Sequence, residues 1–404
     1  MVADKQLIIL GNGFDLTNQF ETTYANFINW IISQNDITIS EIEEQLEDRN
    51  IHNIHDKIRT SVISENPIKL ELPKMYDINI WYLIFIHSKL STDANWNDVE
   101  RQMYKYLIDE KILTEATYGV SSRTKTLQKV MEIILFQKEI AYFEQKEKLV
   151  NFFEKSLHEL ERDFERFLFE KSRYGSLNPQ ITCFGEYGPN KLLKYIAHED
   201  TGNLPFNLLS FNYTDAWSKR WIDQGLVTEE GGENRFVFPE KFLMVHGQAI
   251  YRKDNVNRLI FGIDHTKVQV DDVCYRFTKN FRTLILNSSK PMQNINNIYE
   301  ENINMIKFFG HSLCEADYSY FQQMFDFYEL YSNNNLKLYF YFNNWLDSGM
   351  TDAELLHKNV EAITNLIETY GQTLDNKDHG KNLLTRLQQT GRIVIKQIEP
   401  MRCI

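Results

Sequence analysis

The turn that follows the first apolar run has the composition of a phosphate-binding turn. It consists of Gly11, Asn12, Gly13, Phe14 and Asp15, directly after the run Lys5–Leu10. Glycines let the backbone approach a ligand closely, and the start of a helix offers unpaired N–H groups to an anion. Leu16 stands where a dinucleotide fingerprint has its third glycine. The residues alone leave two interpretations open, a nucleotide-binding turn and a tight strand-to-helix turn in which Asp15 starts the helix.

An asparagine and a histidine follow two further apolar runs. Asn212 follows Asn207–Phe211, and His246 with Gly247 follows Lys241–Val245. Because the carboxyl ends of parallel strands meet at one edge of a sheet, we expect Asn212 and His246 to share a pocket. An amide can hold a water or a sugar hydroxyl, and an imidazole accepts a proton near neutral pH. Taken singly, a turn-forming Asn and a satisfied, half-buried His explain the same residues.

A second glycine turn follows the run Met305–Phe309. It contains Gly310, His311 and Ser312, whose hydroxyl and imidazole groups suit contacts with phosphates or sugars. The structural alternative is that Ser312 or Asp317 caps the helix that comes next. The residues do not decide between the two.

Other kinds of site find little support. We find no GxxxxGK[ST] loop and no GxSxG elbow, and the histidines lack metal-binding spacing, so we expect no metal. In the segment from Trp96 to Glu100, Asp98 and Glu100 are two residues apart and point to different helix faces, which argues against a metal pair. The four cysteines (Cys183, Cys274, Cys314, Cys403) stand singly, which excludes a CxxC zinc module.

Composition and charge narrow the class of protein. The 404 residues are 43% hydrophobic and carry a net charge of −12, which is typical of a globular protein and disfavours nucleic acid as a partner. The start of the chain lacks the apolar core of a signal peptide, and the run Ile80–Ile86 is far shorter than the ~18 residues of a membrane span. We therefore expect a cytoplasmic protein with no membrane contact.

The elements that must position these residues form an α/β fold. Seven apolar runs predict strands: Lys5–Leu10, Asn207–Phe211, Lys241–Val245, Arg258–Phe261, Met305–Phe309, Lys337–Phe342 and Arg392–Ile398. Helical periodicity dominates the stretch between the first two. We predict a Rossmann-like parallel sheet with a large, mainly helical insertion, divided into residues 1–30, 31–203 and 204–404.

The order of these motifs resembles the AbiH family of bacterial abortive-infection proteins, which act against phages. The resemblance rests on motifs spread over most of the chain: Leu7–Leu16, Thr22–Phe27, Trp96 with Asp98 and Glu100, Ser210–Thr214, His246-Gly247, Phe261–Asp264, and Gly310–Leu313 with Asp317, Tyr320 and Phe321. It implies an anti-phage function for this chain.

The same order resembles, more distantly, the sirtuin-like (SIR2) proteins and their NAD pocket. This resemblance implies NAD as the substrate, Asn212 and His246 as catalytic residues, and a SIR2-type sheet. It implies a nucleotide-binding role for Gly11, Asn12, Gly13, Phe14, Asp15, Gly247, Gly310, His311 and Ser312.

Three features depart from the sirtuin pattern. Thr214 stands where sirtuins have an acidic residue after the Asn, Asp15 replaces the small residue of their glycine turn, and the paired zinc-binding cysteines are absent. The last departure argues against protein deacylation.

We therefore predict an NAD glycohydrolase that cleaves the nicotinamide–ribose bond. A nucleotide-binding sensor without turnover is the first alternative. A nuclease or phosphoryl-transfer enzyme that uses Asp15, Asp264, Asp317 and His311 is the second. We further expect a phage-encoded protein as the trigger and a homo-oligomer as the assembly.

Overall fold

The structure, a computed structural model, describes most of the chain. The described residues are 4–18, 20–35, 38–45, 48–63, 77–90, 99–113, 122–138, 146–175, 189–215, 217–218, 236–249, 258–289, 297–344 and 349–398.

A parallel sheet is the main feature of the described chain. Its six strands are β1 (Lys5–Leu10), β2 (Phe206–Ser210), β3 (Lys241–Met244), β4 (Ile303–Phe309), β5 (Lys337–Phe342) and β6 (Ile393–Gln397), in the order β3-β2-β1-β4-β5-β6. Every pairing is parallel. This is the strand order of a doubly wound Rossmann-like fold, in which ligands bind outside the carboxyl ends of the strands.

Helices cover most of the remaining described residues. They are α1 (Gly13–Thr17), α2 (Tyr24–Gln34), α3 (Ile39–Gln45), α4 (Asp48–Ile63), α5 (Ile80–Leu90), α6 (Val99–Tyr104), α7 (Ser122–Gln137), α8 (Lys146–Gly175), α9 (Pro189–His198), α10 (Lys279–Ser289), α11 (Tyr318–Phe327), α12 (Asp352–Thr373), α13 (Lys377–Lys381) and α14 (Leu383–Gln389). A π-helical turn, Lys105–Asp109, continues α6.

The chain divides into two compact units. The sheet unit comprises residues 1–22, 168–251 and 290–404, and the helical unit comprises residues 23–167 and 252–289. The sequence pattern placed boundaries at residues 30 and 203. In the structure, residues 168–203 belong to the sheet unit, whereas residues 23–30 and 252–289 belong to the helical unit.

Both faces of the sheet are buried in the sheet unit. Leu7 and Ile9 of β1 pack in one apolar cluster with residues of α11 and α12, whereas Ile8 and Leu10 pack in a second cluster with residues of α9. This division follows from the alternation of side chains along a strand. It also explains why the strands read as continuous apolar runs.

A buried lysine fixes the end of α9 against the sheet. Lys307 of β4 is fully buried, and its Nζ lies 2.9 Å from the carbonyl oxygens of both Ile196 and Ala197. Unpaired carbonyls at the end of a helix attract a cation, so Lys307 caps α9.

One predicted strand is wrong. The run Arg258–Phe261 lies in the helical unit and joins no strand of the described sheet. The backbone N–H of Phe261 donates to Glu161 at 2.8 Å, and Glu161 also pairs with Arg282 at 2.7 Å. A side-chain carboxylate of α8 thus satisfies the backbone that a neighbouring strand would otherwise bind.

The predicted elements near the end of the chain are confirmed. Thr351 and Glu354 form the predicted capping box of α12. Phe321, Met324 and Phe325 lie on the buried face of α11 as their spacing predicted. Within the described ranges, no helix has both the length and the apolar character that a membrane span requires.

Candidate functional site

Asp15 links the turn after β1 to the end of β2. Its side chain is buried; one carboxylate oxygen accepts from the Asn212 amide at 3.2 Å and the other from the Thr214 hydroxyl at 2.6 Å. Burial raises the pKa of Asp15 to about 7, although both hydrogen bonds favour the charged form. The carboxyl group therefore titrates near neutral pH.

The contact with Asp15 fixes the orientation of the Asn212 amide. The amide NH₂ of Asn212 donates to Asp15, so the amide oxygen Oδ1 points away from that carboxyl group. Asn212 is 4% exposed, and within the described chain its Oδ1 is buried without a hydrogen-bond partner. A buried acceptor of this kind suits a ligand that brings a hydroxyl group or a water.

A second polar group joins the ends of β3 and β4. Asp317 places one carboxylate oxygen 3.2 Å from Nε2 of His246 and the other 3.4 Å from Nε2 of His311. The His246, His311 and Asp317 side chains are all at most 10% exposed. We refer to these three residues as the His–Asp–His bridge.

Aromatic rings bring the two polar groups close together. Phe211 and Tyr213 flank Asn212 in the sequence, and their ring centroids lie 5.7 and 5.8 Å from that of His246. The Phe211 ring is also 4.4 Å from that of His311. Asn212 and His246 thus lie in one region at the carboxyl edge of the sheet, as the strand ends predicted.

The glycines of the two turns allow their backbones to touch. A Cβ atom on Gly11 would lie 2.5 Å from the Cα of His311, and one on Gly310 would lie 2.5 Å from the backbone nitrogen of Phe14. Gly310 also has a positive φ of 68°. Glycine is therefore required at both positions for the packing of the turns after β1 and β4, whether or not these turns also bind a nucleotide.

Several N–H groups of the first turn are engaged inside the protein. Gly11 donates to Phe309, Gly13 to Gly310, and Phe14 to Gly11, at 2.8 to 3.0 Å. A phosphate contact at this turn stays a prediction.

The remaining predicted residues occupy varied surroundings. Phe14 is fully buried and packs edge-on against Phe309. Asn12 is exposed and accepts from the hydroxyl of Thr22 at 2.9 Å. Gly247 has a φ of 84°, and Ser312 is exposed. The nucleotide contacts expected of these residues likewise stay predictions.

Three residues that contribute to this region were not among those predicted to form the NAD site. Thr214 binds Asp15, Asp317 binds both histidines, and Asn343, which directly follows β5, lies with its Oδ1 3.0 Å from the Thr17 hydroxyl. Only the position of Asn343 directly after a predicted strand of the sheet could have revealed it from the sequence.

The residues proposed for a nuclease site belong to two units, with Asp15, His311 and Asp317 in the sheet unit and Asp264 in the helical unit. Asp264 belongs to the helical unit, where its carboxylate caps a short turn by accepting from Thr266 at 2.7 Å. Among the described residues, no group of three or more His, Cys, Asp or Glu side chains is arranged to hold a metal ion. Trp96 and Asp98 lie outside the described residues, and Glu100 pairs with Lys279 at 2.7 Å.

The strand order and the polar strand ends define the class of protein: a Rossmann-like α/β protein with its candidate site at the carboxyl edge of the sheet. The model of the family described as bacteriophage abortive infection AbiH matches residues 7–342. The chain belongs to the AbiH family, so the predicted membership is confirmed, and the family supports a bacterial anti-phage role in abortive infection.

Two further comparisons gave no match. Neither the curated proteins nor the solved structures include one with detectable similarity to this chain.

Proposed function

We propose that this AbiH protein binds NAD and hydrolyses its nicotinamide–ribose bond during phage infection. The observation that carries the proposal is the convergence of Asn212 and His246 at the carboxyl edge of the sheet. The two residues come from different strands, and both residues flanking Asn212 contact the ring of His246. Asn212 offers a buried hydrogen-bond acceptor and His246 can accept a proton, and both groups can act on the attacking water of this hydrolysis.

In this reaction, NAD supplies the leaving group, and the protein orients the reactants and accepts a proton. The oxygen of a water attacks the anomeric carbon of the ribose, the carbon–nitrogen bond breaks, and its electron pair goes to the pyridinium nitrogen. Nicotinamide is a good leaving group, so the protein must mainly orient the ribose and the water. Asn212 Oδ1 accepts from the water or a ribose hydroxyl, and His246 takes the proton of the water.

A pair of compensating residues supports the resemblance to sirtuin-like NAD pockets. Thr214 stands where those proteins have an acidic residue, and Asp15 stands where they have a small one. The two side chains bind each other here at 2.6 Å. Asp15 therefore places a carboxyl group beside Asn212 although position 214 is not acidic.

The test is NAD turnover during infection. Bacteria that carry the wild-type chain, Asn212→Ala or His246→Ala are challenged with phages, and NAD, nicotinamide and ADP-ribose are measured by mass spectrometry. We expect the wild type to deplete NAD on infection, with equal amounts of the two products. Each variant should lower the rate by about 100-fold or more, because each removes a group acting in the transition state.

A surface substitution controls for general effects. His357 is an exposed residue of α12, so His357→Ala should deplete NAD like the wild type. Protection against phage with NAD intact would contradict hydrolysis and favour the nucleotide-binding sensor. Unchanged depletion in both site variants would show that the reaction occurs elsewhere.

A further inference from the structure

The His–Asp–His bridge has a carboxylate that performs no capping function. Asp317 stands at the N-cap position of α11, yet its side chain makes no capping hydrogen bond. Its two oxygens face two imidazole rings instead. The sequence allowed Asp317 to be a helix cap. The structure shows that its side chain does not cap α11.

We propose that Asp317 is a positioning residue that fixes the proton of His246 on Nε2 and so makes Nδ1 the proton-accepting nitrogen. This inference rests on the proposed function for its catalytic consequence. The proton position itself follows from the hydrogen bonds of the bridge.

The tautomer of His311 is determined by the backbone. The N–H of Leu313 donates to Nδ1 of His311 at 2.8 Å, so Nδ1 carries the lone pair and the proton lies on Nε2. That Nε2–H faces one oxygen of Asp317 at 3.4 Å. Both ring nitrogens of His311 are thus engaged within the protein, which makes His311 a support for Asp317.

The tautomer of His246 then follows from the charge of Asp317. The second oxygen of the carboxylate can only accept, and it lies 3.2 Å from Nε2 of His246. Neutral His246 must therefore carry its proton on Nε2 and its lone pair on Nδ1. A buried carboxylate beside the ring also stabilises the imidazolium that forms when Nδ1 takes a proton.

Several titratable groups face the ring of His246. The rings of Tyr213 and Tyr320 lie 5.8 and 6.0 Å from it between centroids, and His311 faces it through Asp317. Asp317 is the carboxylate among these groups, and it lies within hydrogen-bond distance of Nε2. Asp317 is therefore the group that determines which nitrogen of His246 carries the proton.

Replacing Asp317 by Asn gives a specific expectation. His311 still presents an Nε2–H, so the amide oxygen of Asn must face His311 and the amide NH₂ must face His246. Nε2 of His246 then accepts a hydrogen bond, and its proton moves to Nδ1. Asp317→Asn should lower the rate of nicotinamide release by about 100- to 10,000-fold, the range of losses typical of removing a general base.

A double variant distinguishes this effect from simple damage. Phe in place of His311 keeps an aromatic ring but removes the Nε2–H. The thiol of Cys314 still lies 4.0 Å from the Asp317 oxygen that faces His311, but a thiol is a weak donor, so the Asn amide in Asp317→Asn/His311→Phe can turn its oxygen toward His246. The double variant should therefore be at least about tenfold more active than Asp317→Asn alone. A merely structural role predicts that the second substitution lowers activity further.

The proton position is also measured without any substrate. Nitrogen-15 NMR of histidine-labelled protein, with His246→Gln for assignment, distinguishes the two tautomers of neutral His246. We expect the Nε2–H tautomer in the wild type and in the double variant, and the Nδ1–H tautomer in Asp317→Asn. The proposal is overturned if His246 keeps the Nε2–H tautomer in Asp317→Asn. It is also overturned if the wild type does not show the Nε2–H tautomer.

Controls separate this proposal from the proposed function. Asp272→Asn replaces an exposed carboxylate that accepts from Cys274, and Asn caps equally well, so this variant should match the wild type. Thermal melting monitors folding of every variant. If the tautomers of His246 change as expected but neither the wild type nor any variant releases nicotinamide, the positioning role of Asp317 is supported and the proposed NAD hydrolysis is wrong.

Discussion

At the scale of single residues, burial in the folded protein disfavours the charged form of Asp15. A buried carboxyl group loses its hydration, which raises its pKa to about 7 from 3.8. The folded state therefore holds a proton that the unfolded state releases. Stability from this group is present at acid pH and is lost as the pH rises toward 7.

Asp15→Asn should remove this pH dependence. The amide oxygen can still accept from Asn212, and the amide NH₂ can donate to the Thr214 hydroxyl, so both hydrogen bonds survive without the charge. We expect the variant to gain stability over the wild type by about 1.4 kcal/mol per pH unit between about pH 4 and 7. The gain should then level off, at no more than about 4 kcal/mol.

Urea unfolding at several pH values measures this difference. Asp272→Asn makes the same change of net charge at an exposed cap and should leave the profile unaltered. A constant difference between Asp15→Asn and wild type from pH 4 to 8 would mean that Asp15 is ionised throughout.

The sequence predicted which residues lie at the carboxyl edge of the sheet, but it did not predict which of them bind each other. Strand ends placed Asn212 and His246 at one edge, because that follows from the topology alone. The contact of Asp15 with Thr214 joins residues 199 positions apart. Nothing local encodes such a pair, since a carboxylate at a helix start and a Thr after a strand each have sufficient local explanations.

At the scale of elements, the turns after β1 and β4 pack backbone against backbone. Gly310 has a φ of 68°, and a Cβ atom there would meet the nitrogen of Phe14 at 2.5 Å and the Cα of Gly13 at 2.8 Å. Backbone atoms within a sheet edge cannot move aside without displacing β1. The glycine is therefore required for both conformation and space.

Gly310→Ala should cost more than its backbone conformation alone. Gly202 is the matched control, because it has a φ of 65° and a Cβ atom there would have nothing within 4 Å. Gly202→Ala should lose about 1 kcal/mol from the positive φ, and Gly310→Ala at least about 2 kcal/mol more. Chemical denaturation of both variants measures the two losses. Equal losses of unfolding free energy in Gly310→Ala and Gly202→Ala would show that the turns after β1 and β4 can move apart without loss of stability.

Apolar runs predicted six of the strands because buried parallel strands are apolar throughout. The runs Lys5–Leu10 and Lys337–Phe342 match β1 and β5 at both ends. The run Arg258–Phe261 has the same character, yet its backbone is bound by Glu161 of α8. A short apolar run indicates burial without specifying the partner, which explains the wrong strand.

At the scale of the whole molecule, the two edges of the sheet respond to pH in opposite directions. At the amino edge, Glu300 pairs with Lys241 at 2.6 Å and also binds Lys5 and Asn207, so it joins the starts of three strands. These contacts, led by that with Lys241, lower the pKa of Glu300 to about 2. Asp15, whose pKa is raised, lies at the carboxyl edge.

The signs of the two shifts predict the pH range in which each residue contributes to stability. The contribution of Glu300 is fully present above its unfolded pKa of 4.5 and is lost as the pH falls toward 2. The contribution of Asp15 is lost as the pH rises from 3.8 toward 7. The two contributions therefore change in opposite directions, that of Glu300 decreasing below about pH 4 and that of Asp15 decreasing above it.

Two variants should each remove one of these contributions. Glu300→Gln should lose about 2 kcal/mol near neutral pH, a value reduced for the partial exposure of the site, and should flatten the fall below pH 4. Asp15→Asn should flatten the fall above pH 5 and leave the acid side unchanged. Because the two residues lie at opposite edges and bind different residues within the described chain, the double variant should show the sum of both effects. Unfolding free energies from pH 3 to 8, compared with the wild type at each pH, test this. A double variant whose difference from the wild type departs from the sum of the two single differences would contradict it.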